Sequence, residues 1–274
     1  MVATYERSIV TFIDILGFAD IVDHQSASAI DLMLEAVQRT AGAPDLLADG
    51  RERATQILSF SDSIIRARAY GAEREESTLL VELEEVALAQ WLLAKEGIFI
   101  RGGMTAGDIA FSMNRAFGPA FVRAYRLETQ FASVARIVLD PALLAELRSN
   151  RCLRRRGKTL RSEIKDVRQH LRQSDDGMWF IDYLWVIAED SSASRCADLG
   201  RHKSMILEKG AGLQPSDKLV PKYSWLAPYH NEVAAALGAE RDVLIRRSEL
   251  PILGELLLPR RKLRIKSAQR LAPP

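Results

Sequence analysis

The 274-residue chain is predicted to have a mixed α/β (α+β) fold. Three observations predict this class. Short apolar, β-branched segments alternate with segments of helical periodicity, and glycine or proline stands at many of the boundaries between them. The composition, 47% hydrophobic and 27% charged, is that of an ordinary globular protein. At this length we expect one domain over residues 1–150, followed by a basic, mainly helical extension over residues 151–274 that packs on it.

The chain opens with a strand, a turn and a helix. Residues 8–14 (SIVTFID) form a buried strand that Gly17 ends. Apolar residues then recur at i, i+3, i+4 and i+7 over residues 30–37, which predicts an amphipathic helix that ends at Gly42 and Pro44.

A hairpin and a second helix follow. Residues 56–60 and 63–68 are strand-like and are separated only by the polar pair Ser61 and Asp62, so Asp62 is predicted at the tip of the hairpin. Ser77 caps a helix that Gly97 closes.

The next elements complete a repeated pattern of strands and helices. Residues 98–104 and 108–112 are predicted as two strands around Ala106 and Gly107. Residues 118–131 are predicted as a helix, and residues 136–140 as a strand. The side of the helix predicted to face the core carries Phe121, Ala124, Tyr125 and Phe131. The order β-α-β-β-α-β-β-α-β is that of a ferredoxin-like layout, a mixed sheet with helices on one face.

The second half of the chain differs in charge and character. Residues 1–150 hold 14 Lys+Arg against 21 Asp+Glu, whereas residues 151–274 hold 24 against 15. The basic run at 151–158 is predicted as a surface linker, and the last predicted strand and helices are at residues 178–187, 197–210 and 223–237, with a bend at Pro228. Residues 260–274 are basic and are predicted to be loosely ordered. We expect the basic half to complement the acidic half rather than to bind nucleic acid.

Compartment and redox state follow from the same composition. The apolar stretch near the N-terminus is too short for a signal sequence or a membrane span, so we expect a cytoplasmic protein with no membrane span. Two cysteines, Cys152 and Cys196, do not form a CxxC pair and are predicted to be thiols. The four histidines have no metal-ligand spacing.

The first candidate for chemistry is Asp14, at the end of the first strand and before the glycine turn. A carboxylate there lies beside backbone N–H groups that suit phosphate oxygens, while the carboxylate suits Mg²⁺ or Mn²⁺. The alternative is that Asp14 caps a turn and Phe18 fills the core. Asp62 favours the metal site over the turn cap. A ferredoxin-like sheet places the hairpin of Asp62 beside the first strand, and two adjacent carboxylates are unfavourable without a cation.

Four strings, in order, resemble the class III nucleotidyl cyclases: FIDILGF, FSDS, IRGGMTAGDI and FGPAFVRAYRLE. More narrowly, they resemble the pyrimidine cyclases of bacterial Pycsar anti-phage defence. The resemblance covers roughly residues 8–140. It implies a homodimer, with each active site built across the interface, that makes a cyclic nucleotide as an immune second messenger.

The resemblance also implies roles for individual residues. Asp14 and Asp62 would be catalytic and would hold two Mn²⁺ or Mg²⁺ ions, helped by the carbonyl of Ile15, and Arg126 would stabilise the transition state. The substrate-binding candidates of the first segment are Phe12 and the three residues whose amides would hold phosphate, Leu16, Gly17 and Phe18.

Base recognition departs from the adenylate cyclase pattern. Leu58 and Arg115 stand where those enzymes read adenine, and Val122 replaces a transition-state asparagine, for which Arg123 is a candidate substitute. Gln56 could read a pyrimidine edge and Arg101 could reach the base or the phosphates. A surface amide and a solvated strand arginine are the alternatives.

The sequence therefore predicts a cyclase acting on a pyrimidine triphosphate, with UTP favoured over CTP. A cytidylate cyclase and a non-catalytic nucleotide-binding module with the same fold are the alternatives. A nucleic-acid-binding protein that uses residues 151–158 and 260–266 ranks last, because no aromatic side chains alternate with those basic runs.

Overall fold

The structure, a computed structural model, describes residues 4–41, 55–71, 75–112, 114–250 and 266–267. Its strands are β1 Glu6–Ile15, β2 Thr55–Phe60, β3 Ser63–Ala69, β4 Ile100–Ser112, β5 Arg115–Phe117, β6 Ile137–Leu139, β7 Leu171–Gln173, β8 Trp179–Ile181 and β9 Lys266–Ser267. Its helices are α1 Phe18–His24, α2 Ala27–Ala41, α3 Thr78–Lys95, α4 Pro119–Phe131, α5 Pro141–Ser149, α6 Leu160–Gln169, α7 Ser192–Ala211, α8 Val220–Ser224 and α9 Leu226–Ala236. The predicted α/β (α+β) class is confirmed.

The strands form one mixed sheet in the order β2-β3-β1-β4-β6-β8-β7, and β9 pairs with β7. Neighbouring strands are antiparallel except β4 and β6, which are parallel. β1 lies inside the sheet and pairs with β3 on one side and β4 on the other. Its β-branched residues suit this doubly paired, buried position.

The two strands predicted around Ala106 and Gly107 are one strand, so that prediction is wrong. β4 runs without a break from Ile100 to Ser112, because ten consecutive residues of β1 pair with it and Gly107 lies opposite Ser8 within that ladder. The hairpin comes later, where the short β5 folds back onto the end of β4.

Helices cover both faces of the sheet, which corrects the expectation of helices on one face. Ile9 and Ile13 of β1 point into the main core, which includes α3. Val10 and Phe12 point to the opposite face, where they pack with the small residues of α4. Alternate residues of a strand face opposite sides, so β1 contributes to both layers.

The helix α4 lies unusually close to the sheet. A Cβ atom added to Gly103 would come within 2.5 Å of the Ala124 carbonyl oxygen and of the Leu127 Cβ. This close approach turns the small side of α4 inward, so Ala124 is buried as predicted. The prediction is wrong for Tyr125 and Phe131, which are 48% and 37% exposed.

The second half of the chain extends the same sheet. β8 pairs with β6, and β7 continues beyond it, while residues from α7, α8 and α9 share the main core with β1 and α3. Of the strand predicted at residues 178–187, only Trp179–Ile181 is a strand, and Tyr183–Ile187 form a 3₁₀ helix. The break between α8 and α9 falls at Trp225 rather than at Pro228.

A buried ion network joins β3 to α3. Glu82, which is fully buried, accepts hydrogen bonds from Arg66 Nε at 2.9 Å and Nη2 at 3.1 Å, from Arg68 Nε at 2.8 Å and from Thr11 Oγ1 at 3.1 Å. Arg66 also donates to the carbonyl of Ala41 at the end of α2. The network ties α2, α3 and two strands together.

Two histidines that are far apart in the sequence meet in the second half. His230 Nε2 lies 2.9 Å from the carbonyl oxygen of Val243 and must donate to it, so its Nδ1 accepts from His202 Nδ1 at 3.0 Å. His202 Nε2 then accepts from the hydroxyl of Tyr183 at 2.7 Å. Both rings are buried and neutral in this chain of bonds, which makes them structural residues.

Several predictions fall outside the described residues. They include the end of the first helix at Gly42 and Pro44, the basic run 260–265 and most of the terminal segment 260–274. Among the helices that are described, none has the length and apolar character needed to cross a membrane.

Candidate functional site

The two predicted acidic residues meet at one edge of the sheet. Asp14 is paired with Ser63 of β3 and with Arg101 of β4. Asp62 directly precedes Ser63 in a two-residue turn. Ser61, the first residue of that turn, has a φ of 53°, a value that glycine usually adopts there. The turn thus holds Asp62 beside Asp14, as the sequence predicts.

The environment of Asp14 is costly for a negative charge. Burial raises its pKa to about 7, against the opposing effect of Arg101. The charge of Asp62 and a side-chain hydrogen bond between the two carboxyl groups raise the pKa further. A desolvated carboxylate beside a second one gains strongly from a cation.

Arg101 supplies a cation at this point. Its Nε and Nη2 atoms donate to the same oxygen, Asp14 Oδ2, at 3.0 and 2.8 Å. Its Nη1 makes a longer bond of 3.4 Å to the carbonyl of Ala132. The predicted contact of Arg101 with a base or phosphate is therefore replaced, in this conformation, by a contact with the predicted metal ligand.

Glu128 is a third carboxylate at the site, and it is not among the residues predicted from the sequence. Its Oε1 lies 2.7 Å from Arg101 Nη2, at an angle that makes an ion pair but leaves this buried oxygen without a hydrogen bond. Burial raises the pKa of Glu128, Arg101 lowers it, Asp62 raises it and Lys222 lowers it. A signal was present, because Glu128 follows Ala124 by four residues and so lies on the buried side of α4.

The glycine turn after β1 begins a helix, as predicted. Gly17 has a φ of 79° and precedes α1. The amide of Phe18 belongs to the first turn of this helix, where N–H groups have no intrahelical partner. The prediction is wrong for Leu16, because its amide already donates to the Phe99 carbonyl at 2.8 Å and its side chain is buried.

The second half of the chain covers this turn. A Cβ atom added to Gly17 would lie 3.1 Å from Leu219 and 3.4 Å from the hydroxyl of Tyr223. Lys222, between them, is close enough for its charge to act on Glu128. The basic half therefore contributes residues to the edge of the acidic site.

Phe12 is a core residue, which corrects its assignment to substrate binding. It is only 6% exposed and its ring contacts those of Phe121 and Tyr125, at 6.2 and 5.5 Å between centroids. Its side chain points beneath α4, so it is shielded from any ligand at the carboxylates.

Two other candidates lie away from the carboxylates of the same chain, and a third, Arg126, lies on the side of α4 opposite Glu128. Arg115 pairs with Ser112, eleven residues along β4 from Arg101, which is about 36 Å of strand. Gln56 is exposed on β2, four residues or about 13 Å before Phe60, where the strand ends. Arg126 is on the exposed side of α4.

The proposed substitute for the missing asparagine is already paired. Arg123 donates from Nε and Nη2 to the two oxygens of Asp140, at 2.6 and 3.1 Å. Asp140 also accepts from Thr105 and from the amide of Ala142. Arg123 is thus part of the junction between α4 and α5.

The donor set at the sheet edge fits a hard divalent cation. Asp14, Asp62 and the carbonyl of Ile15 offer oxygen atoms, which Mg²⁺ and Mn²⁺ prefer. Because the Leu16 amide points to Phe99, just before β4, the preceding carbonyl of Ile15 is directed towards the β3 side, where Asp62 lies. Over the described ranges there is, however, no preformed group of three or more His, Cys, Asp or Glu residues arranged to hold a metal ion.

No protein-family model matches the chain, and no curated protein matches it either.

Proposed function

We propose that the protein is a nucleotidyl cyclase that converts UTP to 3′,5′-cyclic UMP and pyrophosphate. The observation that carries this proposal is the meeting of Asp14 and Asp62 at the end of β1, with the pKa of Asp14 raised to about 7. This pair has the chemistry of a divalent-cation site beside a glycine turn. The finer fold assignment, the cyclase form of the ferredoxin-like layout, belongs to the same proposal.

Each residue has a defined task in this scheme. Asp14, Asp62 and the carbonyl of Ile15 would hold two Mn²⁺ or Mg²⁺ ions. When bound, these ions lower the pKa of the ribose 3′-hydroxyl and stabilise the pyrophosphate leaving group. The amides of Gly17 and Phe18 bind phosphate oxygens at the start of α1.

The site is completed by a second copy of the chain. Large apolar side chains are exposed on and near the α4 side of the sheet: Tyr5, Phe60, Phe117, Val122 and Tyr125. Such side chains are typical of an interface. In a two-fold dimer, Arg115 and Arg126 of one copy would approach the carboxylates of the other, in line with the distance of Arg115 from Asp14 and the exposed position of Arg126 within one chain.

The preference for a pyrimidine rests on the residues that would read adenine. Leu58 is partly buried on β2 and has no hydrogen-bonding group, and Arg115 cannot accept a hydrogen bond from an exocyclic amine. A cytidylate cyclase is the alternative within this class. The cyclic product would act as a second messenger in bacterial anti-phage defence.

A non-catalytic nucleotide-binding module is the second candidate. One observation favours it: Arg101 holds Asp14 in an ion pair, so the pair of carboxylates is partly neutralised without a metal. Such a module would bind a nucleoside triphosphate and leave it unchanged.

One experiment separates these functions. The purified protein is incubated with ATP, GTP, CTP or UTP and Mn²⁺, and products are identified by mass spectrometry. We expect cyclic UMP from UTP, its loss in Asp14→Asn, and its retention in the control Asp31→Asn on the exposed side of α2. Cyclic CMP would establish the cytidylate alternative. Nucleotide binding without any cyclic product would establish the module and refute the cyclase.

A further inference from the structure

Arg101 is shared between two carboxylates in an unequal way. Both of its bonds to Asp14 go to Oδ2, so Oδ1 receives no bond from it. The same Nη2 atom is already 2.7 Å from Glu128 Oε1, where it makes no hydrogen bond. A small rotation of the guanidinium would exchange a bond to Asp14 for a bond to Glu128.

Because Glu128 is buried, its contact with Arg101 stabilises the carboxylate. The side chain of Glu128 is 3% exposed, and among the described residues the guanidinium of Arg101 lies within ion-pair distance of it. A buried carboxylate with an unsatisfied oxygen is unfavourable. Glu128 therefore gains when Arg101 turns towards it.

The contact of Arg101 with the Asp14 carboxylate affects how that carboxylate can bind a metal ion. A divalent cation needs carboxylate oxygens that are free of a competing guanidinium, and two cations at one carboxylate repel each other. A cation that binds Asp14 through Oδ1 repels the guanidinium at Oδ2 and so favours movement of Arg101 away from Asp14. Glu128 lies where the displaced guanidinium can be received.

We propose that Arg101 acts as an internal counter-ion for Asp14 and that Glu128 is the positioning residue that takes Arg101 over when a divalent cation binds. This inference rests on the proposed function only in assuming that Asp14 and Asp62 bind a cation. Glu128 itself does not bind the metal. The exchange sets the affinity of the site for the cation.

The test is a double-mutant cycle with Mn²⁺ binding as the readout, measured by calorimetry on the purified protein without nucleotide. Glu128→Gln should weaken Mn²⁺ binding about tenfold, because Arg101 loses its charged second partner. Arg101→Gln should strengthen binding about tenfold, because a nearby positive charge is removed. In the double variant the effect of Glu128→Gln should disappear.

Controls keep the cycle interpretable. Glu35→Gln, an exposed change on α2, should leave the affinity unchanged. Circular dichroism and thermal unfolding check each fold. Arg101→Met, which has a similar length and no charge, replaces Arg101→Gln if that variant fails to fold, and the same gain is expected.

Three results would overturn the inference. If Glu128→Gln weakens binding equally in the Arg101→Gln background, Glu128 is a metal ligand. If Arg101→Gln weakens binding, Arg101 supports Asp14 rather than competing at it. If the wild type binds no Mn²⁺, there is no exchange to observe. The first two results can occur whether or not a cyclic nucleotide is formed, so they overturn this inference alone. The third removes the cation site that both proposals assume.

Discussion

Replacing Glu82 with glutamine should destabilise the protein severely. The carboxylate accepts four hydrogen bonds, three of them from Arg66 and Arg68. Glutamine keeps one acceptor oxygen and turns an NH₂ group towards guanidinium N–H groups, so about two of these bonds are lost. At about 1.5–3 kcal/mol for each bond to a charged group, the loss of two bonds is about 3–6 kcal/mol. This agrees with the cost of breaking a buried ion pair.

Urea unfolding followed by circular dichroism measures this loss directly. Glu82→Gln should lower the free energy of unfolding by about 3–5 kcal/mol. The exposed change Glu35→Gln should stay within about 0.5 kcal/mol of the wild type. A loss below about 1 kcal/mol for Glu82→Gln would refute the view that this network ties the helices to the sheet.

Three further predictions concern stability and assembly. Burial lowers the pKa of His230 to about 4. A lowered histidine pKa removes stability as the pH falls from about 6.5 to 4, so His230 should contribute about 2 kcal/mol to the drop in the free energy of unfolding between pH 7 and pH 5. Burial also lowers the pKa of His170 and of His202, so the contribution of His230 is measured as the difference between the wild type and His230→Gln. Gly103→Ala must push α4 outward and should cost about 1–3 kcal/mol in urea unfolding, whereas Gly200→Ala, with open space around it, should not. Mixing inactive Asp62→Asn and Arg126→Ala chains should restore about a quarter of the wild-type rate of cyclic UMP formation, since half of the dimers then contain one intact site.

Each of these predictions has a contradicting result. A His230→Gln variant with the same pH dependence as the wild type would show that other groups cause the acid sensitivity. Equal unfolding curves for the two glycine variants would remove the packing argument for α4. No recovery on mixing, with dimers confirmed by light scattering, would place the whole site within one chain.

The local elements of the site could be predicted from the sequence. Strand β1, the turn that carries Asp62 and the start of α3 at Ser77 all depend on short patterns of polarity and capping. The meeting of Asp14 and Asp62 followed because the hairpin joins the strand directly beside it. These features involve neighbours in sequence or adjacent strands.

The remaining features depend on distant parts of the chain. Nothing local to Gly17 indicates that Tyr223, over two hundred residues later, lies against it. Arg101 and Glu128 are on a strand and a helix whose spacing is set by the absence of a side chain at Gly103. The sequence around Gly107 predicts a turn, but pairing with β1 keeps this residue within β4.

The proposal that Asp14 and Asp62 form a catalytic cation site is tested most directly by the rate of cyclic UMP formation from UTP and Mn²⁺ in Asp62→Asn. Asparagine preserves the size of the side chain and removes the charge, so folding should be intact by circular dichroism. The rate should fall by more than about a hundredfold, beyond the 10–100-fold typical of losing an outer-shell partner of a metal. An Asp62→Asn variant with the wild-type rate would contradict the two-metal site.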